Sequence, residues 1–97
     1  MTGHKVILTY TGKTNMGLEE SIRMSKYRCE VPRVGTAISE KHKDWTETVI
    51  VEKFERRHEG EETVFEVLAR PDDRVASYVD TIADAFRANG WTVEHLR

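Results

Sequence analysis

The sequence predicts an α+β fold, a small antiparallel sheet with one or two helices on one face. Four segments carry that expectation: two runs rich in β-branched and aromatic residues at 48–54 and 63–69, an amphipathic stretch at 73–88, and an alternating segment at 91–96. A ferredoxin-like βαββαβ order, with an elaborated connection over about 28–44, is the favoured arrangement of these parts.

The two β-rich runs read as a hairpin, separated by Arg56-Arg57-His58-Glu59-Gly60-Glu61-Glu62. With Glu59-Gly60 as the turn, glycine supplies the positive φ that tight hairpins favour. That register sets Phe54 opposite Phe65, Glu52 opposite Val67 and Ile50 opposite Ala69. The other face pairs Arg57 with Glu62, Lys53 with Glu66 and Val51 with Leu68. Opposite charges on one face and an aromatic pair on the other support it, at about 0.2–1 kcal/mol per cross-strand pair. Glu52, an acid on the apolar face, is the discordant residue.

Pro71-Asp72-Asp73 suits a first helical turn, where proline lacks no needed donor and aspartates favour the positive end of the dipole. Val75, Tyr78, Val79, Ile82, Ala83 and Phe86 then recur at helical spacing. Arg74, Ser77, Asp80, Thr81, Asp84 and Arg87 fall on the outer face. Asn89-Gly90 is a left-handed stop, and Trp91 to Leu96 alternates as a final strand.

Towards the N-terminus, residues 5–11 read as a strand and 11–15 as a turn. Leu18 and Ile22, with Glu19-Glu20 early, suggest a short helix over about 16–25, although Gly17 weakens it. Tyr27, Cys29 and Val31 alternate with Arg28 and Glu30 as a strand over 26–31. Residues 32–44 then form a polar connection. If the 16–25 helix fails, the expectation becomes a curled antiparallel sheet covered by the later helix alone.

A chain of 97 residues, 38% hydrophobic and 33% charged, suits one globular domain over 1–97. The longest apolar run, Val6-Ile7-Leu8, is far short of the roughly 20 residues that span a bilayer. No signal-peptide pattern opens the chain, and the lone Cys29 has no internal partner, so a reducing cytoplasm is the expected compartment. The net charge of −2 conceals an asymmetry. Residues 23–43 carry six Lys/Arg against Glu30 and Glu40, whereas 44–97 carry seven Lys/Arg against thirteen Asp/Glu.

Chemical motifs are weak. Gly12-Lys13-Thr14 resembles the end of a phosphate-binding loop, but Ile7 stands where the first glycine of that pattern belongs. His4, His42, His58 and His95 form no close pair with each other or with Cys29 at metal-ligand spacing. No serine sits in a nucleophile elbow, and the helix-region acids are accounted for by capping and solvation. Glu52, if interior, would be the one candidate acid or base. Neither catalysis, a metal nor a cofactor is expected.

What remains is binding. The sequence-level expectation is a small regulatory module, an inhibitor or adaptor, acting by protein–protein contact through Arg23, Lys26, Arg28, Arg33, Lys41 and Lys43. A homodimer through an open sheet face is a further partner expectation. The runner-up is a nucleic-acid-binding domain using 23–43, with Tyr27 and Trp45 available to stack on bases. Against it, residues 62–69 lack the basic, glycine-containing and aromatic pattern of an RNA recognition motif.

Overall fold

The computed structural model describes residues 3–72, 74 and 77–96. Among them are six strands: β1 (His4–Lys13), β2 (Glu19–Arg28), β3 (Ala37–His42), β4 (Trp45–Glu59), β5 (Glu62–Pro71) and β6 (Thr92–Leu96). One helix, α1 (Val79–Ala88), lies between β5 and β6. The strands form a single sheet in the order β3-β4-β5-β1-β2-β6, curled into a half-barrel around the helix. All neighbours are antiparallel except β1 and β5, which run parallel.

The ferredoxin-like α+β expectation is therefore corrected, because its first helix is a strand. Residues 19–28 pair along their whole length with β1, from Lys13 opposite Glu19 to His4 opposite Arg28. Ile22 and Met24 are fully buried and Arg23 is exposed, which is a period of two. Leu18, the other half of the supposed helical pair, is 64% exposed in the turn before β2. The strand expected over 26–31 ends at Arg28.

The connection expected over 32–44 is also corrected, since it contains β3 and the turn that joins it to β4. His42 pairs with Trp45 across Lys43-Asp44, and Lys43 takes a positive φ of 55°. Ile38 anchors β3 in the core at 7% exposure.

In the β4–β5 hairpin the turn is Gly60-Glu61, one residue later than expected, with Glu59 opposite Glu62. Gly60 has φ +64°, as such a turn needs. Moving the turn by one residue shifts every pair by two. Arg57 thus faces Val64, Lys53 faces Leu68, and Phe54 faces Val67 rather than Phe65. Such a shift keeps each side chain on its face, and the Phe54 and Phe65 rings still touch diagonally at 5.9 Å.

Glu52 is a β-bulge. Val51 pairs with Ala69 and Lys53 with Leu68, so Glu52 is the surplus residue and points to solvent. Its insertion exchanges the two faces of β4. Val49 and Val51 face inward on one side of it and Phe54 on the other, while Ile50 lies opposite Arg70. The interior acid considered above is thereby removed.

The helix is shorter than expected. Pro71 ends β5 rather than opening α1, and ten residues from Val79 form the helix. Arg74 and Ser77 precede it, and Tyr78, its N-cap residue, is half-exposed. Asp73 and Val75 lie outside the described residues. Val79, Ile82, Ala83, Ala85 and Phe86 are buried against the concave face of the sheet. They meet Val6, Leu8, Tyr10, Ile22 and Met24 from β1 and β2, and the inward residues of β4 and β5. Burying each large apolar side chain contributes about 1.5–3 kcal/mol, so this contact is the main source of stability.

The stop after α1 follows expectation in its chemistry. Gly90 has φ +92°, and its N–H bonds to the Arg87 carbonyl at 3.2 Å while the Trp91 N–H bonds to the Phe86 carbonyl at 3.1 Å. The Phe86 and Trp91 rings pack at 5.3 Å, the apolar contact that accompanies this motif.

Candidate functional site

The six basic residues singled out in the sequence do not share one surface. Alternation along β2 sends Arg23 to the outer, convex face, where its guanidinium meets Glu66 at 3.3 Å. Arg57 reaches the same carboxylate at 2.9 Å. Lys26 points the other way, towards the helix, and its ammonium donates to the Asn89 carbonyl at 2.7 Å. A cation there complements the negative end of the helix dipole.

Around the helix C-terminus the chain gathers residues from distant segments. The Asn89 side-chain amide donates to the Lys41 carbonyl of β3 at 2.7 Å. The Trp91 indole N–H donates to Glu40 at 2.7 Å, and the Arg28 guanidinium lies 5.8 Å from the centre of the Trp91 ring. Arg28 also pairs with Glu30 at 2.9 Å. Lys26 and Arg28 thus come together at one corner with the Lys41 backbone. Alternation along β3, with Ile38 and Glu40 facing inward, turns the exposed Lys41 side chain to the outer face, and Lys43 follows in the adjoining turn. Among the described residues, Lys41, Lys43 and Arg33 form no ion pair.

Beside this corner lies a cavity of about 240 Å³. Val6, Pro32, Ala37 and Ile38 supply apolar walls, and Arg28, Glu30 and Arg33 supply the charge. It forms because residues 29–36 leave β2, cross the end of the sheet and return as β3. The Thr36 N–H and hydroxyl both donate to the Arg33 carbonyl, at 3.1 and 2.5 Å, which holds the bend. Val31 and Val34 on this crossing are 51% and 64% exposed.

Tyr27, offered as a stacking residue, is on the convex side of β2 and donates its hydroxyl to Glu62 at 2.5 Å. That bond pushes its phenol above the ordinary value. Trp45 is 40% exposed at the start of β4 and packs edge-on against His42 at 5.2 Å.

The weaker motifs resolve into structural roles. The Thr14 hydroxyl oxygen accepts the N–H groups of Met16 and Leu18, each at 3.2 Å, so it closes the β1–β2 turn. His4 packs on Phe65, His95 pairs with Glu20, and His58 is exposed on the β4–β5 hairpin. Among the described residues no three His, Cys, Asp or Glu side chains are grouped to hold a metal ion. Cys29 is a free, exposed thiol, and no described helix is long and apolar enough to cross a membrane.

Sequence reasoning found the cations but missed Asn89, Trp91 and Glu40, which assemble them. The signal for Trp91 was its position immediately after a glycine stop, where an aromatic residue packs back onto the last helical turn. No protein-family model, curated protein or solved structure matches the chain.

Proposed function

We propose that the protein is a binding module, without chemistry of its own, that docks an acidic segment of a partner protein. The supporting observation is that Arg28 and Arg33 line an apolar-walled cavity, with Lys26 at the adjoining helix end and Lys41 and Lys43 exposed on the neighbouring strand and turn. Glu40 is engaged by Trp91 and Glu30 by Arg28, which leaves Arg33, Lys41 and Lys43 to attract an acidic partner. A reducing cytoplasm, suited to the exposed Cys29, is the compartment we assign to it.

Nucleic acid is the less favoured partner. Arg23 is turned to the opposite face and held by Glu66, so residues 23–43 do not form the continuous basic track a phosphate backbone requires. Affinity capture with the whole chain, after nuclease treatment, tests the proposal. Reversing Lys41 and Lys43 to glutamate should reduce partner recovery at least about tenfold, a change of about 1.4 kcal/mol. Unchanged recovery, or loss of all recovery on nuclease treatment alone, would count against it.

A further inference from the structure

Resting on that reading, we infer that the free edge of β3 takes an extended segment of the acidic partner as an added strand. One apolar side chain of that segment enters the cavity, and a neighbouring carboxylate meets Arg28 and Arg33.

The first support is backbone geometry. The two-residue turn makes His42 and Trp45 a hydrogen-bonded pair, and the Val51 N–H donates to the Thr36 carbonyl at 2.9 Å. Even-numbered residues of β3 therefore turn their N–H and C=O groups to β4, while Ala37, Ser39 and Lys41 turn theirs outward. The Lys41 carbonyl is taken by Asn89. The outward groups of Ala37 and Ser39 meet no hydrogen-bond partner among the described residues. A short unpaired edge of this kind is where an extended peptide adds to a sheet.

The second support is what flanks that edge. Ala37 and Ile38 form the wall of the cavity nearest β3, and Val6 and Arg28 belong to the strands on the far side. A strand laid beside Ala37 would run along the mouth of the cavity. Its side chains would alternate, so the one entering the cavity and the one reaching the arginines are two residues apart. The groove beside the other open edge, β6, is lined by Lys5, Ile7, Arg23, Ser25, Thr92 and Glu94 on the convex face, with a single large apolar side chain. The apolar walls therefore select β3 as the docking edge, and Arg28 and Arg33 at the cavity select an acidic segment as its occupant.

A random peptide library displayed on phage, selected on the full chain, tests the inference. Enriched peptides should carry Asp or Glu separated by one residue from Leu, Ile, Met or Phe. A synthetic peptide of the consensus should then bind Ala37→Pro and Arg33→Glu each at least about tenfold more weakly than the unsubstituted protein. Proline at Ala37 removes an outward N–H without altering charge, and an edge position tolerates it. Ser39→Pro makes the same test one pleat further on, and urea midpoints show which variant folds. No acidic enrichment overturns both the inference and the proposed function. Acidic peptides that need Arg33 but bind both proline variants unchanged overturn strand addition alone. Displacement of the peptide by a mixed-sequence oligonucleotide that binds more tightly overturns both in favour of nucleic acid.

Discussion

Tyr10 is fully buried on the concave face, and neither its hydroxyl nor Glu47 Oε1 meets a hydrogen-bond partner. Burial, and then the nearby charge of Glu47, pushes the phenol above its ordinary value of 10.0. The folded state therefore holds the phenolic proton more tightly than the unfolded chain does. The stability linked to it is fully present below pH 10 and is lost as pH rises through the higher folded value. Tyr10→Phe keeps the ring and removes the unpaired hydroxyl, so at neutral pH stability should change by no more than about 1 kcal/mol, or rise. Urea unfolding at pH 7 and above pH 10 checks this. The variant should lose less stability on going alkaline, and an alkaline loss equal to that of the unsubstituted protein would refute the assignment. Tyr10 also accounts for Gly12, where an added Cβ would lie 2.8 Å from the Tyr10 ring.

At the scale of elements, β4 and α1 each depend on one local device. In β4 it is the bulge. Glu52→Ala should be close to neutral, because the side chain is exposed and only the extra backbone unit matters. Deleting Glu52 is different, since it would bring residues 45–51 into continuous alternation with Phe54 and turn Val49 and Val51 outward. Both are at 0% exposure, and losing two such valines at about 1.5 kcal/mol each gives about 3 kcal/mol of destabilisation. Denaturant melts of the two variants separate these outcomes, and equal effects would exclude the bulge as the cause. In α1 the device is Gly90. Its Cβ position is open, with Lys26 Cε nearest at 3.8 Å, so Gly90→Ala should cost about 1–2 kcal/mol through backbone strain alone.

These elements also show what the sequence could reveal. Alternation in the β4–β5 hairpin read correctly for 54–57, because a shift of two leaves every face unchanged. The discordance of Glu52 was visible as well, although its resolution by a bulge depends on how β4 bends to curl the sheet. Residues 16–25 were misread because Leu18 and Ile22 satisfy helical spacing while Ile22 and Met24 satisfy strand spacing. A hydrogen-bonded partner strand decides between two such short patterns. The basic corner was legible only as composition. Separating Arg23 from Lys26 requires knowing that β2 is a strand, and the cavity requires the long-range return of 29–36 beside Val6.

Across the whole molecule, the half-barrel leaves a seam between its two ends, and Trp91, just after α1, bridges it at Glu40. Trp91 packs on Phe86 of the helix, stacks with Arg28 of β2 and donates to Glu40 of β3. It thus ties together strands four places apart in sheet order that have no ladder in common. Trp91→Phe preserves the aromatic packing but removes the N–H. Glu40 then loses a charged-group hydrogen bond worth about 1.5–3 kcal/mol. Because β3 is otherwise held through β4 and the Asn89 amide, the loss should fall on local opening of that edge more than on the central strands. Native-state hydrogen exchange makes the distinction. The amides of Ile38 and Glu40 should exchange faster in the variant by a larger factor than those of Leu8 and Val67 in β1 and β5. An equal increase at all four would mean that Trp91 stabilises the fold as a whole and does not act as the clasp of the seam.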